Sequence, residues 1–568
     1  MNKLFAIVFS LLFIGGMCEQ TVGQHIKLNK SLNGLSAAVS CAHPEAAKIG
    51  AEILQKGGNA IDAAIAMQWA LAVCYPQAGN IGGGGFMVVR MNTGEVNTLD
   101  FRETAPALAT KDMYLDSEGN VITGKSTDSH LAVGIPGSVR GLYESSDKYG
   151  ELSMNDLIAP AITLAEEGFP ITEKQANLFN QYRPEFESRG PKENPFVKSS
   201  GQWVEGDTLI QRDLAATLQR ISDKGADEFY SGRTAQLIAD EMKSGGGIIS
   251  LSDLKNYKVV WRKPTQGEFH NFTVYSMPPP SSGGIAIVQL LKMWENAATD
   301  NITHNSVEYI HLITEMERRV YADRSVFLGD PGFLTIPEKQ MLNADYLKTR
   351  MKDFDPKAAT PSSEIKEGKI RVPIESTETT HLSVVDEAGN AVSVTTTLNG
   401  HYGSKILVAG GGFFLNNEMD DFSAKPGTPN MFGLVGGEAN AIAPNKRMLS
   451  SMTPTIVEKD GELFLVAGSP GGSTIITSVF QTIMNTAIFD MDLKTAIGAP
   501  KFHSQWLPDV IMLEDGRFEA ELIEKLKSME HEITIVPTLG RVDAILVNES
   551  KTLQSCGDPR GDDTAAGY

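Results

Sequence analysis

Threonine hydroxyls are concentrated in one predicted β-hairpin in the second half of the chain. Thr379 and Thr380 begin its first strand, and Thr395, Thr396 and Thr397 end its second. A threonine hydroxyl can attack a carbonyl carbon when a neighbouring base takes its proton. Threonine also suits β-strands and pairs well across them. These residues alone therefore leave a catalytic and a structural interpretation open.

The turn of this hairpin decides which hydroxyls meet. Residues 386–390 have the sequence DEAGN, which is typical of a turn between two alternating runs. A turn that closes there predicts that Thr380 faces Thr397, with Thr379 diagonal to Thr397. Residues directly across a strand pair lie about 5 Å apart, and diagonal ones about 7–8 Å. We therefore expect the Thr397 hydroxyl near the start of the first strand.

The first part of the chain predicts helices ahead of a glycine-rich turn. His43-Pro44 opens a helix, since proline is tolerated at a first helical position. Residues 60–73 are apolar enough for a helix that is buried on all sides. Residues 79–85, GNIGGGG, then lead into a strand. A dinucleotide-binding loop requires strand, glycines and helix in that order, so the order here indicates a close-packed backbone turn instead.

Two polar stretches of the middle third are predicted to face solvent. Residues 306–324 predict a long helix, and residues 352–372 an exposed, flexible segment poor in aromatic residues. The charges of the helix are interpreted as a solvated salt-bridge face. They are Glu315, Glu317, Arg318 and Arg319.

The last third alternates strands with glycine turns. The turn 468–473 leads into a predicted helix over residues 474–490. Mixed strands and helices of this kind indicate a layered α/β or α+β fold. Strands are predicted over residues 382–385, 392–394, 453–457 and 463–466.

Composition argues against a nucleic-acid-binding protein and is that of an ordinary soluble one. The chain of 568 residues has a formal charge of −20, whereas a nucleic-acid surface needs clustered Lys and Arg. Hydrophobic residues make up 41% and charged residues 21%, as in ordinary soluble proteins. We therefore expect no nucleic-acid partner.

The N-terminus predicts export. Lys3 precedes an apolar run over residues 4–14 and the small residues Gly15-Gly16, a pattern typical of a signal peptide, which we place at residues 1–24. A membrane anchor is the alternative, but the run is shorter than the ~20 residues that span a bilayer. The predicted location is periplasmic or secreted. Lipid anchoring through Cys18 stays open, although Met17 is a poor fit for a lipidation signal.

Cysteine spacing predicts neither a metal site nor a disulfide framework. Cys41 and Cys74 could pair in an oxidising compartment, or could be buried small residues. No cofactor is implied.

A series of motifs together resembles the γ-glutamyltransferase (γ-glutamyltranspeptidase) family. The likeness begins near Ala38 and continues to the C-terminus in the order of that family. The motifs are Thr379-Thr380-His381, Asn399, residues 416–422 (NNEMDDF), residues 450–454 (SSMTP), residues 468–472 (GSPGG) and residues 562–568 (DDTAAGY).

The resemblance implies an N-terminal nucleophile hydrolase, an α+β fold built as a four-layer α-β-β-α sandwich. Such a chain is an inactive precursor that cuts itself before Thr379. The products would be a large subunit of residues 25–378 and a small subunit of residues 379–568. The two would remain a heterodimer with one composite catalytic domain.

The same resemblance assigns the catalytic roles. Thr379 is the nucleophile, and its own α-amine, freed by cleavage, is the base, because α-amines titrate near pKa about 7.7–8.0. Thr397 would hold the Thr379 hydroxyl by a hydrogen bond. The backbone N–H groups of Gly471 and Gly472 would receive the oxyanion. His381 is interpreted as structural, not as a base.

The implied donors are glutathione and related γ-glutamyl compounds, and the acceptors are water, amino acids or peptides. Arg102 suits a bidentate grip on the α-carboxylate of the donor. The alternative for Arg102 is a surface ion pair with Glu103 or Asp100. The other binding residues implied are Ser450 and Ser451 for the carboxylate, and Asn399, Glu418 and Asp421 for the ammonium.

One departure and two rival functions accompany this resemblance. Residues 426–437 match a lid loop, but Phe432 stands where tyrosine is familiar, so a hydrogen-bonded latch would be missing. A related acylase on the same scaffold, for cephalosporins or poly-γ-glutamate, is one rival. A secreted binding protein without catalysis is the other, since a fold alone does not imply a function.

Overall fold

The computed structural model describes residues 25–366, 379–425 and 438–568. The predicted signal peptide, Cys18 and the lid loop with Phe432 lie outside these residues. None of the helices in the described ranges has the length and apolar character needed to cross a membrane.

Strands are spread along the whole described chain. They are β1 (Lys27–Asn29), β2 (Ser31–Leu35), β3 (Ala38–Cys41), β4 (Gly84–Arg90), β5 (Val96–Asp100), β6 (Phe169–Pro170), β7 (Thr208–Leu209), β8 (Val260–Arg262), β9 (Thr265–Phe269), β10 (Phe272–Ser276), β11 (Thr380–Val385), β12 (Ala391–Thr397), β13 (Thr455–Lys459), β14 (Glu462–Gly468), β15 (Phe502–His503), β16 (Ile511–Glu514), β17 (Ile533–Val536), β18 (Asp543–Val547), β19 (Leu553–Cys556) and β20 (Thr564–Gly567).

Helices cluster before β11. They are α1 (Pro44–Gln55), α2 (Ala60–Cys74), α3 (Ser138–Tyr149), α4 (Met154–Glu167), α5 (Glu173–Gln181), α6 (Arg183–Arg189), α7 (Arg212–Lys224), α8 (Asp227–Ser231), α9 (Arg233–Gly245), α10 (Leu251–Asn256), α11 (Gly283–Asn296), α12 (Val307–Phe327), α13 (Glu338–Met341), α14 (Ala344–Arg350), α15 (Thr474–Ala487), α16 (Leu493–Gly498) and α17 (Ala520–Ser528). Short 3-10 turns cover His130–Ala132, Glu418–Asp421 and Glu438–Asn440.

Two sheets stacked face to face form the centre of the molecule. The first has the order β1-β20-β3-β11-β12-β4-β5-β8, and the second β2-β19-β18-β14-β13-β10-β9. β11 contacts β14 and β18 across the interface. Apolar side chains from both sheets, such as Val88 and Ile456, form a shared core there.

Helices cover the outer face of each sheet. α2 lies on β11 and β12 of the first sheet, and α11 and α15 pack on the second. All fifteen residues of α2 are buried, as its uniformly apolar sequence predicts. The predicted α+β class and the α-β-β-α order of layers are therefore confirmed.

The structure corrects the predicted hairpin register by one residue. Thr380 pairs with Thr396, not with Thr397. The reason is the turn, in which the Asp386 carboxylate accepts hydrogen bonds from Asn390 N (2.9 Å) and from Ala60 N (2.9 Å) at the start of α2. These bonds hold a five-residue loop between the paired residues Val385 and Ala391.

The predicted salt-bridge face of α12 is wrong, because the helix is buried on all sides. Arg318 binds Glu315 on its own helix and Asp509 from a distant loop, at 2.6 and 2.8 Å. Thr360 N also donates to Glu315, at 3.0 Å. The segment after residue 352, predicted to be exposed, therefore covers these charges in part. Its remaining residues, 367–372, lie outside the described chain.

Cys41 and Cys74 are both buried and free, so they behave as buried small residues and not as a disulfide.

Candidate active site

Thr379, the predicted nucleophile, lies immediately before β11 and is buried. β11 occupies the middle of the first sheet, between β3 and β12. Continued by one residue, the observed register sets Thr379 directly opposite Thr397. The corrected register therefore brings these two residues closer than the diagonal arrangement predicted from sequence.

Thr397 is held from two directions. Its hydroxyl accepts a hydrogen bond from Asn399 N at 2.8 Å, and its carbonyl oxygen accepts one from Asn80 Nδ2 at 2.9 Å. Asn399 has a φ of +75°, in the left-handed region that asparagine tolerates. Its side-chain amide donates to the Asn417 carbonyl at 3.1 Å. The strand end is thus fixed to the loop that carries the predicted ammonium ligands.

Gly471 and Gly472 form the turn between β14 and α15, as the sequence predicts. Their φ angles are +126° and +58°, values that favour glycine. A Cβ on Gly471 would lie 2.4 Å from the Thr474 hydroxyl oxygen. Among the described residues, none accepts a hydrogen bond from either glycine N–H. Both donors are therefore available to an oxyanion.

Arg102 is 1% exposed and lies among acids, which excludes the surface ion pair considered from the sequence. Its Nη1 lies 2.7 Å from Glu418 Oε2, and its Nη2 donates to Asp421 Oδ2. Asp100 instead pairs with Arg262, at 2.7 Å. The residues expected to hold the two charges of one substrate head thus lie in contact with each other.

Glu103 adds a further carboxyl to this cluster. Its Oε2 is 3.9 Å from Arg102 Nη1, and neither carboxyl oxygen has a hydrogen-bond partner within the described part of the chain. Burial raises the pKa of Glu103 to about 8, against the attraction of Arg102. We favour the neutral form because Arg102 is already neutralised by Glu418 and Asp421. A Cβ on Gly84 would lie 2.5 Å from Glu103 Oε2, so the glycine-rich turn leaves room for this carboxyl.

The two predicted serines lie on the loop before β13. Ser450 Oγ accepts from Met452 N at 3.2 Å, and its carbonyl oxygen accepts from Ser282 N at 2.7 Å. Ser451 Oγ accepts from Arg324 Nη2 at 2.9 Å. Both serines are buried, and Arg102 donates to the carbonyl of the residue before them, Leu449, at 3.1 Å.

His381 is placed away from any role as a base. Its Nδ1 lies 2.9 Å from Thr395 Oγ1, and its Nε2 lies 3.1 Å from Ser383 Oγ. Burial lowers the pKa of His381 to about 3. Its ring also fills the space where a Cβ of Gly468 would be, so it packs between the two sheets.

Sequence reasoning missed two residues that support this site. Asn416 fixes the acidic loop, because its Nδ2 donates to the Gly134 carbonyl at 2.8 Å and its Oδ1 accepts from Glu418 N at 3.0 Å. Arg324 binds Ser451 and also donates to Ser282 Oγ at 2.8 Å. Asn416 is the first residue of the motif NNEMDDF, which the sequence offers as a signal, whereas nothing local distinguishes Arg324 from the other charged residues of α12.

Comparison with known proteins gives one family. The sequence profile described as gamma-glutamyltranspeptidase matches residues 46–568. A glutathione hydrolase proenzyme from Escherichia coli (strain K12) is 46% identical over 541 residues, which cover 95% of this chain and 92% of that protein.

Solved structures agree with this result. The γ-glutamyltranspeptidase of Helicobacter pylori is 44% identical and aligns with a TM-score of 0.56, covering 60% of this chain and 97% of that chain. The cephalosporin acylase of Bacillus halodurans aligns with a TM-score of 0.83, covering 97% and 99% of the two chains. Its identity is 24%, so this second likeness concerns the fold alone.

Proposed function

The chain belongs to the γ-glutamyltranspeptidase family, and we propose that it is a self-processing γ-glutamyltransferase and glutathione hydrolase. It would transfer the γ-glutamyl group of glutathione and related compounds to water, amino acids or peptides. The observation that carries this proposal is the buried contact of Arg102 with Glu418 and Asp421. A γ-glutamyl head carries a carboxylate and an ammonium on one carbon, and this cluster offers a partner for each.

Substrate binding would replace ion pairs between protein residues with ion pairs between those residues and the donor. The donor's carboxylate would take the Arg102 fork and the hydroxyls of Ser450 and Ser451. The donor's ammonium would take Glu418, Asp421 and Asn399. Asp421 Oδ1 supports this, because it is buried and accepts no hydrogen bond from a described residue. Since each internal pair is replaced by a pair with the ligand, no charge is left buried alone.

Processing would create the nucleophile. The Thr379 hydroxyl attacks the carbonyl carbon of Glu378, the peptide C–N bond breaks as an ester C–O bond forms, and water hydrolyses the ester. The products are a Glu378 carboxylate and a Thr379 residue with a free α-amine. That amine then serves as the base for the same hydroxyl.

The mature reaction would use the same atoms on the donor. Thr379 Oγ attacks the γ-carbonyl carbon while its proton passes to the α-amine. The oxyanion receives hydrogen bonds from the N–H groups of Gly471 and Gly472, and Thr397 orients the nucleophile. The leaving amine takes the proton and departs, which leaves a γ-glutamyl ester on Thr379. Water or an amine then attacks that ester.

The subunits would remain together after the cut. Each large sheet contains strands from both sides of Thr379: β3 lies between β11 and β20 in the first, and β10 pairs with β13 in the second. Separation of residues 25–378 from residues 379–568 would therefore break both sheets. We propose a heterodimer, exported after removal of residues 1–24.

The test combines mass and activity. Intact mass under denaturing conditions should show two species, with the smaller beginning at Thr379. The mass of the larger gives its first residue and would reveal a lipid on Cys18. The variant Thr379→Ala should stay uncut and should not hydrolyse a γ-glutamyl amide. The matched control is Thr380→Val, because the Thr380 hydroxyl is buried without a hydrogen-bond partner among the described residues.

Two results would contradict the proposal. A Thr379→Ala protein that is cut and active would remove Thr379 from the mechanism. A wild-type chain that stays whole would favour the binding-protein alternative. The acylase alternative has weaker support, since the glutathione hydrolase proenzyme is 46% identical to this chain, whereas the likeness to the cephalosporin acylase structure concerns the fold alone.

A further inference from the structure

The two N–H groups assigned to the oxyanion belong to two successive peptide planes. The Gly471 N–H shares its plane with the Pro470 carbonyl, and the Gly472 N–H shares its plane with the Gly471 carbonyl. Both peptide bonds are trans, so the C=O and the N–H point in opposite directions from one rigid plane. A group that holds either carbonyl therefore also sets the direction of the N–H on the opposite side.

Ser469 holds the first of these planes. Its hydroxyl donates to the Pro470 carbonyl at 2.6 Å and accepts from Arg541 N at 3.0 Å. A backbone N–H can only donate, so the single hydroxyl proton of Ser469 is left for the Pro470 carbonyl. Ser469 has no exposed surface, which shields both bonds from solvent. The direction of the Gly471 N–H is thus set by a buried side chain.

Thr474 holds the second plane. Its hydroxyl donates to the Gly471 carbonyl at 2.7 Å, and its backbone N donates to the same oxygen at 3.2 Å. Thr474 is the first residue of α15, which packs on the second sheet. The Gly472 carbonyl in turn accepts from Ile475 N at 3.0 Å. The start of a packed helix therefore sets the direction of the Gly472 N–H.

Glycine by itself does not fix these planes. Gly471 and Gly472 have φ angles of +126° and +58°, and glycine has the widest choice of backbone angles of any residue. An oxyanion site requires donors that already point at the developing charge before the reaction begins. The hydroxyls of Ser469 and Thr474 supply that fixed direction, while the glycines let a substrate approach the backbone closely.

We propose that Ser469 and Thr474 are positioning residues of the reaction. By holding the Pro470 and Gly471 carbonyls, they aim the next N–H group along the chain at the oxyanion. Each acts through a peptide plane and not through the reacting atoms. The inference rests on the proposed function, because it requires an oxyanion at the γ-carbonyl carbon of the donor.

The first experiment removes one hydroxyl at a time. Thr474→Val replaces the hydroxyl with a methyl group, and Ser469→Ala deletes it. In each variant kcat and kcat/KM should fall together by about tenfold, the value of one hydrogen bond. A joint fall is typical of an interaction made only in the transition state. Thr474→Ser keeps the hydroxyl and should retain kcat close to that of wild type.

The matched control is Thr482→Val on the same helix. Thr482 is 1% exposed, and its hydroxyl also donates to a backbone carbonyl, that of Ser478, at 2.9 Å. The chemical change is the same, but this carbonyl lies two turns from the glycines, so kcat should stay at the wild-type value. Activity is expressed per processed chain, counted by intact mass, and thermal unfolding shows that each variant is folded. If Thr474→Val does not fold, Ser469→Ala decides the question.

The second experiment separates the oxyanion from the donor head. The first probe is a glutamate analogue with a boronic acid in place of the γ-carboxyl group. Thr379 Oγ bonds to its boron while the hydroxyl proton passes to the α-amine, which gives a tetrahedral anion like that of the reaction. The second probe is norvaline, which has the same α-carboxylate and α-ammonium but a methyl group at that place.

Inhibition by the boronate should weaken by about tenfold in Thr474→Val and Ser469→Ala, since such an analogue binds as the transition state does. Norvaline should inhibit wild type and both variants equally. Wild-type kcat in both variants, or an equal loss in Thr474→Ser and Thr474→Val, would overturn the inference. A processed wild-type protein that does not hydrolyse the donor would instead reject the proposed function.

Discussion

Arg102 and Glu418 form a buried ion pair, with Nη1 2.7 Å from Oε2, at the place where a γ-glutamyl head is expected to bind. The pair comes from the loop after β5 and from a 3-10 turn far along the chain. It neutralises both groups in the absence of ligand. The first prediction depends on the geometry of this pair.

Replacement Arg102→Lys keeps the charge but loses the planar fork. A lysine cannot hold Glu418, Asp421 and a substrate carboxylate in the same bidentate manner. We expect donor KM to rise by about tenfold or more, the value of a charge-assisted hydrogen bond, with self-cleavage retained. Steady-state kinetics and intact mass check both points. Arg262→Lys, at an arginine that binds Asp100, serves as control and should leave donor KM unchanged.

Glu103→Gln should change how stability depends on pH. Burial raises the pKa of Glu103 to about 8, whereas the pKa of a glutamate in the unfolded chain is about 4.3. Between these values the unfolded chain releases this proton and the folded chain keeps it, so wild-type stability falls as pH rises. Glutamine does not titrate, so the Glu103→Gln variant lacks this loss of stability at higher pH. Its Tm should therefore exceed that of wild type at about pH 8, with a smaller difference at about pH 5.

Glu118→Gln, at an exposed position, is the control for this measurement and should show no pH-dependent difference in Tm. A Glu103→Gln protein that is less stable than wild type at both pH values would mean that Glu103 is ionised in the folded chain.

Gly471→Ala tests the oxyanion turn. The new Cβ would meet the Thr474 hydroxyl at 2.4 Å, on a backbone with φ of +126°. The turn must shift and its N–H groups must turn away, so kcat should fall by about 10²–10³, as when an oxyanion donor is lost. Gly461→Ala is the control, because Gly461 also has a positive φ, +83°, but open space around it. Unchanged kcat in Gly471→Ala would reject the assignment.

The pH profile should report the α-amine of Thr379 and not an imidazole. Activity requires the amine to be neutral, so kcat/KM should rise with pH through a midpoint near 7.7–8.0, about that of a free α-amine. The His381→Asn variant should keep this midpoint, since burial lowers the pKa of His381 to about 3 and its ring is engaged by Thr395 and Ser383. A midpoint that moves with His381 would contradict the assignment.

Two glutamates on α12, Glu315 and Glu317, should differ in how much stability is lost when each is replaced by glutamine. Burial disfavours the charge of Glu315, but hydrogen bonds from Arg319 and Thr360 outweigh it and hold the pKa of Glu315 below its usual value. Burial raises the pKa of Glu317 well above its usual value. Glu315→Gln should therefore lower the free energy of unfolding by about 3–5 kcal/mol, as when a buried pair is broken, and Glu317→Gln should change it little. Chemical denaturation measures both, and equal losses would contradict the difference in charge state.

The local sequence was sufficient for the elements that carry the site. The apolar stretch of α2 predicts a helix buried on all sides, because no face of it can be solvated. The glycines ahead of α15 predict a turn, and the structure has Gly471 and Gly472 there with positive φ, which strains other residues. The motifs around Thr379 and their order indicated the family, because catalysis needs particular residue types at fixed places.

The tertiary structure decided the environment of each charge. Glu315 and Arg318 look solvated in sequence, yet Asp509 and Thr360, from segments distant in the chain, cover and bind them. The hairpin register likewise depends on Ala60 at the start of α2, whose N–H donates to the Asp386 carboxylate in the turn between β11 and β12. Burial and long-range hydrogen bonds are properties of the assembled layers. The contact between Arg102 and Glu418 therefore exists only once the segments that follow β5 and β12 have come together.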